Sequence, residues 1–177
     1  KKAFAFLICL LNYFLVFCQA PVHSYDFSVG FNELNNSGPV LLANAGLGTF
    51  ATDNVCLTSQ SVYQFAAGQG LDYAVGSLFT NNYSIEMVFE FTNTNGFRRV
   101  LDYKNLTTDF GLYVLNSNLY FYPVSLGTGA PIAAGEYVHV VVTRNAVDSF
   151  KAYVNGCLHL AAEDALARAI TDATNKI

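Results

Sequence analysis

Ser84-Ile85-Glu86-Met87-Val88-Phe89-Glu90-Phe91 is the stretch on which the reading of this chain turns. Ile85, Met87, Phe89 and Phe91 fall on one side of an extended backbone, and Ser84, Glu86, Val88 and Glu90 on the other. Successive side chains of a strand point to opposite faces, so this pattern predicts a strand with one buried and one solvated face. Downstream, Arg99 to Tyr103 reads as another strand after the turn Asn93-Thr94-Asn95-Gly96. Gly111 to Leu115 and Leu119 to Tyr122 flank Asn116-Ser117-Asn118, which predicts a hairpin because Asn tolerates the positive φ of a tight turn. Tyr137 to Thr143 is rich in Val, whose β-branching suits a pleated strand. Phe150 to Val154 and Leu158 to Leu160 flank Asn155-Gly156, the strongest short-range hairpin signal.

Upstream the pattern weakens. Tyr25-Asp26-Phe27, Ser61 to Phe65 and Leu71 to Val75 read as strands, and Asn32 to Asn54 as a long Gly/Asn-rich surface connection. Asp164 to Thr174 is the helix-capable segment, with Leu166 and Ile170 one turn apart on an Ala-rich background. Many short strands with turn signals between them predict an all-β, antiparallel β-sandwich.

Of 177 residues, 53% are hydrophobic and 12% charged, a balance that excludes a disordered chain. Part of the apolar excess lies at the start. Lys1 and Lys2 precede Ala3 to Phe17, interrupted by Asn12, and the small residues Cys18 and Ala20 follow. A basic start, a short apolar run and a small-residue exit predict a signal peptide over residues 1–20, since spanning a membrane takes about 20 apolar residues. The expected location is outside the cell or at its surface, with membrane contact only through the transient signal. Removing residues 1–20 takes two lysines and no acid, moving the formal charge from −4 to −6. That sign disfavours nucleic acid, which demands clustered Lys and Arg.

Beyond that segment the cysteines are Cys56 and Cys157. In an oxidising compartment one disulfide between them would close a long loop and stabilise by roughly 4 kcal/mol in the chain-entropy account. Two buried free thiols, behaving as small hydrophobes, are the alternative.

Three segments together resemble the laminin-G-like branch of the concanavalin A-like lectin/glucanase superfamily. They are Tyr83-Ser-Ile-Glu-Met-Val-Phe-Glu-Phe91, Gly111-Leu-Tyr113, and His139-Val-Val-Val-Thr-Arg144 followed by Phe150-Lys-Ala-Tyr-Val-Asn-Gly156. With Ser24-Tyr-Asp-Phe27 the resemblance covers roughly residues 22–165. It implies a two-sheet jelly roll over residues 21–177 whose first strand lies close to its last. The expectation is a domain short of one or two final strands, with Tyr25 to Phe27 lacking a partner and a sheet edge exposed.

The resemblance also implies chemistries to weigh. Laminarinase-type glycosidases carry two glutamates with an aspartate between them on one strand. Glu86 and Glu90 keep that rhythm, but Val88 stands between them and their Cα atoms are about 13 Å apart. The plainer reading is two solvated carboxylates, so no enzyme is expected. Laminin-G-like domains often hold calcium at one rim, and Asp102, Asn105 and Asp109 offer hard oxygen ligands for it. Asx turns are the competing role for Asn105 and Asp109. His23, His139 and His159 are scattered without metal-ligand spacing, and His139 reads as a packing or hydrogen-bonding residue. Gly46-Leu47-Gly48 reads as a turn. Asn35, Asn82 and Asn105 lie in N-x-S/T sequons.

Sugars are commonly bound on aromatic faces, and the chain has 11 Tyr, 15 Phe and no Trp. Tyr103, Tyr113, Tyr120 and Tyr122 cluster near the central hairpin, most of them expected in the core or at its edge. The functional expectation is a secreted, non-catalytic module binding carbohydrate or an extracellular protein. A structural or adhesive surface protein without a small ligand is the first alternative, and a glycoside hydrolase the second.

Overall fold

A computed structural model describes residues 20–74 and 81–171 of the chain. The strands are β1 (Leu42–Asn44), β2 (Thr49–Val55), β3 (Thr58–Gln64), β4 (Gly70–Asp72), β5 (Tyr83–Phe89) and β6 (Phe97–Asp102). They continue with β7 (Gly111–Leu115), β8 (Asn118–Tyr122), β9 (Ser125–Leu126), β10 (Val138–Arg144), β11 (Ser149–Val154) and β12 (Cys157–Glu163). Two four-stranded antiparallel sheets form the body, ordered β12-β11-β10-β5 and β6-β7-β8-β9, accompanied by the pairs β1-β4 and β2-β3. No helix occurs among the described residues, so none there is long and apolar enough to cross a membrane.

The alternation in the deciding stretch sets how the first sheet faces the core. Val138, Val140 and Val142 stand opposite Phe89, Met87 and Ile85 in register, and all six side chains pack into one hydrophobic cluster. From β11 and β12, Phe150, Ala152, Val154 and Leu160 join them. The facing sheet contributes Leu112, Val114, Leu119 and Phe121, each 0% exposed. Burying a side chain of this size stabilises by about 1.5–3 kcal/mol. The Phe121 and Phe150 rings stack across the two sheets with centroids 4.0 Å apart. This is an all-β antiparallel sandwich, as the alternation predicts.

One histidine crosses between the layers because of a bulge. The register of β12 against β11 passes from Leu158 opposite Tyr153 to Leu160 opposite Ala152, leaving His159 as the extra residue. An extra residue re-aims its side chain. The His159 imidazole reaches the opposite sheet, where its Nε2 accepts the Leu119 N–H at 3.2 Å. The ring lies against Gly127, where a Cβ would sit 2.1 Å from Nε2. Burial pushes the His159 pKa down, which suits an acceptor nitrogen.

Several expectations are corrected. Tyr25-Asp26-Phe27 is not a strand and has no ladder to lack: Ser24 N–H donates to Glu33 Oε1, Leu34 N–H to the Ser24 carbonyl, and Tyr25 Oη to the Pro39 carbonyl. The stretch Asn32 to Asn54 contains β1 and most of β2. It reads as a loop because the β2–β3 hairpin turns on Cys56 and Leu57, at φ 49° and 68°. That conformation strains non-glycine residues and leaves no Asn-Gly signal. Asp164 to Thr171 forms turns, not helix. Asp164 accepts the N–H groups of Arg168 and Ala169, and Ala167 at φ 52° interrupts any helical run. Residues 1–19 of the expected signal peptide, Val75 and residues 172–177 lie outside the described residues.

Candidate functional site

The outward face of the β6-β7-β8-β9 sheet carries an aromatic surface built by register. Tyr113 stands opposite Arg99 on one side and Tyr120 on the other, Gly111 stands opposite Tyr122, and Tyr120 stands opposite Leu126. The same strands send Leu112, Val114, Leu119 and Phe121 inward, so alternation places every tyrosine of the β7–β8 hairpin on the outer side. Phe97 joins them from β6 and is 51% exposed. The rings touch as a group. Phe97 lies 5.7 Å from Tyr113, 6.1 Å from Tyr120 and 6.0 Å from Tyr122, centroid to centroid. Tyr122 lies 5.3 Å from Tyr120 and 6.0 Å from Tyr113.

A bulge and a glycine hold this face against the neighbouring loop. β6 passes from Arg99 opposite Tyr113 to Leu101 opposite Leu112, with Val100 as the extra residue. The distortion brings the Leu101 carbonyl so close to Gly111 that a Cβ there would stand 2.4 Å from its oxygen. Only glycine fits at that backbone approach.

The loop after β6 holds the three residues expected to bind calcium, and the geometry assigns two of them to Arg99. Its Nη1 donates to Asp102 Oδ2 at 2.9 Å and its Nη2 to Asp109 Oδ1 at 3.0 Å. Asp102 Oδ1 accepts the N–H groups of Lys104 and Leu106, forming an Asx turn. Asp109 also accepts the Tyr113 hydroxyl at 2.5 Å. Asn105 sits between them at φ 49°, its side chain half-buried. These residues do not fit a calcium ion, because a guanidinium already takes the place between the carboxylates and Asp102 has both oxygens engaged. No group of three His, Cys, Asp or Glu able to hold a metal occurs among the described residues.

Arg99 completes the arrangement by lying 5.3 Å over the Tyr113 ring, a cation–π contact. Burial and the bond to Asp109 push the Tyr113 pKa up to about 12, keeping the phenol protonated as the donor. The sequence places Tyr113, Tyr120 and Tyr122 near one another but expects most of them in or beside the core. Tyr103 and Tyr113 are buried, at 0% and 5% exposure, while Tyr120 and Tyr122 are half-buried on the outer face. Arg99 was missed as a site residue, since nothing in its sequence neighbourhood shows that Asp109 returns to it.

The remaining candidates disperse. Glu86 pairs with His139 on the outer face of the opposite sheet, Oε1 to Nε2 at 2.8 Å, so His139 is a hydrogen-bonding residue. Glu90 instead lines a shallow cleft with Asp53, Glu136 and Tyr137. Burial, together with the bond to Asp53, pushes the Tyr137 pKa up to about 12. The two glutamates thus serve different neighbourhoods and flank no common space. Cys56 and Cys157 are both free and exposed, which differs from the bridge and from buried thiols alike. One sits in the β2–β3 turn and the other opens β12, each at a hairpin tip where its side chain meets solvent. His23 packs edge-on to Tyr73 with centroids 6.2 Å apart.

No protein family and no curated protein matches the chain. Among solved structures it is similar to domain 4 of AbnA, a GH43 extracellular arabinanase from Geobacillus stearothermophilus, in complex with arabinotriose. The two share 14% sequence identity at a TM-score of 0.57, over 86% of this chain and 79% of the other. What the two chains have in common at that identity is the β-sandwich fold.

Proposed function

We propose that this chain is a secreted, non-catalytic carbohydrate-binding module, a jelly roll of the laminin-G-like kind, whose ligand lies on the tyrosine face of the β6-β7-β8-β9 sheet. The observation that carries this reading is the contiguous aromatic cluster on an outward-facing sheet, in which Phe97, Tyr120 and Tyr122 reach solvent over a buried Tyr113. A pyranose or furanose ring presents apolar C–H faces and polar edges. Tyrosine matches both, since its ring offers apolar area and its hydroxyl a hydrogen-bonding tip. Phe97 at 51% exposure is a large apolar side chain left in water on a strand that has alternation available to bury it. Apolar and aromatic groups gathered on one exposed surface mark interaction sites.

The similarity to an arabinanase domain in complex with arabinotriose supports a glycan as ligand and suggests the first probe. The Lys1–Ala20 pattern supports export. The separate placement of Glu86 and Glu90 supports binding without hydrolysis.

Isothermal titration of the chain with arabinotriose and with linear β-glucan oligosaccharides tests the proposal. At least one of these binds, and Tyr120→Ala and Tyr122→Ala each weaken that binding by about tenfold, or 1.4 kcal/mol. Both variants keep the circular dichroism of a β protein. Absence of binding to every oligosaccharide, or binding untouched by both substitutions, would sink the assignment of this face.

A further inference from the structure

Resting on that reading, we infer that Arg99 serves the tyrosine face as an internal cation in place of a metal ion, and that the oligosaccharide the face accepts is uncharged and bound without calcium. The argument begins with charge. One guanidinium is engaged by two carboxylates, at 2.9 Å to Asp102 and 3.0 Å to Asp109, so the triad carries a net negative charge. The Asp102 side chain is only 9% exposed, whereas that of Asp109 is 67% exposed. A ligand carboxylate that drew Arg99 to itself would leave Asp102 largely buried without its partner, which is strongly unfavourable. A ligand carboxylate that did not draw it would meet Asp109 at the open end of the face, where like charges repel. The neighbouring Arg98 does not alter this balance, because its guanidinium turns back onto the carbonyl oxygens of Asn93 and Phe97.

The second strand of the argument is mechanical. Arg99 spans three parts of the site at once: the Asp102 turn, the Asp109 end of the loop and the Tyr113 ring at 5.3 Å. Asp109 is in turn bound by the Tyr113 hydroxyl. A divalent cation at a lectin rim would gather loop carboxylates and set them beside the sugar. Here the guanidinium gathers them, and it is covalently part of β6. Arg99 is therefore a positioning residue that orients Tyr113 and the 102–109 loop.

Two measurements on the full chain test this. First, a neutral oligosaccharide and a length-matched uronate-containing one are titrated, each in EDTA and in calcium chloride, at low and high sodium chloride. The neutral ligand keeps its Kd within about twofold across all four conditions, since screening acts on charged partners. The uronate ligand binds at least about tenfold more weakly, a 1.4 kcal/mol difference. Preference for the uronate, or neutral binding lost in EDTA, overturns the inference while leaving glycan binding itself intact. Failure of both sugars in every condition defeats the binding function instead.

Second, thermal unfolding needs no sugar and addresses Arg99 directly. Calcium leaves the melting temperature of the unaltered chain unchanged. Arg99→Gln leaves Asp102 and Asp109 without a cation between them, so it melts below the unaltered chain by a gap that narrows at high sodium chloride, whereas Arg99→Lys behaves like the unaltered chain. Calcium stabilisation of the unaltered chain, or an Arg99→Gln melting temperature equal to that of the unaltered chain, refutes the internal-cation role.

Discussion

Arg144 and Arg99 are each held by two aspartates, with opposite consequences. Arg144 binds Asp164 at 2.9 Å and Asp148 at 2.6 Å, and the side chains of Arg144 and Asp164 are both 0% exposed. Its partners lie on the turn into β11 and just after β12, so this pair fastens the end of the described chain onto β10. Around it, Tyr83 Oη and Lys104 Nζ donate to the Ala169 and Ala167 carbonyls. Arg99 makes bonds of similar length, but its side chain is 36% exposed, and of its partners Asp109 is 67% exposed and Asp102 9%. The chemistry is the same and the dielectric is not. A buried pair is costly to break because the survivor is left charged and dry, while an exposed pair returns each partner to water. One cluster therefore holds the fold, and the other shapes a surface.

The largest expected effect comes from breaking the buried cluster. Asp164→Ala takes from Arg144 its fully buried partner, leaving the half-exposed Asp148 as its carboxylate, and should lower stability by about 3–5 kcal/mol, read from the urea unfolding midpoint. Were Asp109→Ala to cost as much, burial would not be what separates the two clusters.

Next in size is the contact between the sheets. His159→Ala leaves the Leu119 N–H without its acceptor in a residue that is 0% exposed, a loss of about 1–3 kcal/mol. Its pH dependence has a definite sign. The folded pKa lies below the ordinary 6.5, so the contribution is complete above about 6.5 and declines as pH falls toward the folded value. Unfolding curves between neutral and mildly acidic pH should show that decline, and His159→Ala should flatten it.

Arg99→Ala returns Asp109 to water but leaves the 9%-exposed Asp102 with its backbone N–H bonds alone, and is expected to cost about 1–2 kcal/mol, less at high salt. A much larger loss would mean that the tyrosine face is part of the folding core. The smallest effect is local. Glu33, 1% exposed, accepts the N–H groups of Ser37, Ser24 and Asn35. These bonds, the one from Ser37 foremost, hold its pKa down to about 2 against the ordinary 4.5. The stabilisation is present above about 4.5 and lost as pH falls through about 2, so hydrogen exchange at Ser24, Asn35 and Ser37 should accelerate over that window. The protection of β10 and β11 should not change with it.

How far the fold could be read from the chain depended on whether its turns carry a local signature. Asn116-Ser117 and Asn155-Gly156 adopt positive φ, as Asn and Gly do readily, and both hairpins were legible. Cys56-Leu57 adopts the same conformation with residues that disfavour it, so β2 disappeared into an apparent loop. The candidate site divides in the same way. The tyrosines were visible as a cluster in the sequence. Their outward direction followed only from pairing β7 with β6 and β8.

The chain by itself determined the sandwich and the core-facing side of its most regularly alternating strands, because alternation of apolar and polar residues is a property of consecutive positions. It also determined that the deciding stretch would pack Ile85, Met87, Phe89 and Phe91 inward. Tertiary structure decided which charges meet: Arg99 with Asp109 ten residues on, Arg144 with Asp164, His159 with Leu119 in the other sheet. Such contacts depend on bulges and loop returns that bring distant residues within 3–4 Å of one another, as hydrogen bonds and ion pairs require. No local spacing encodes them.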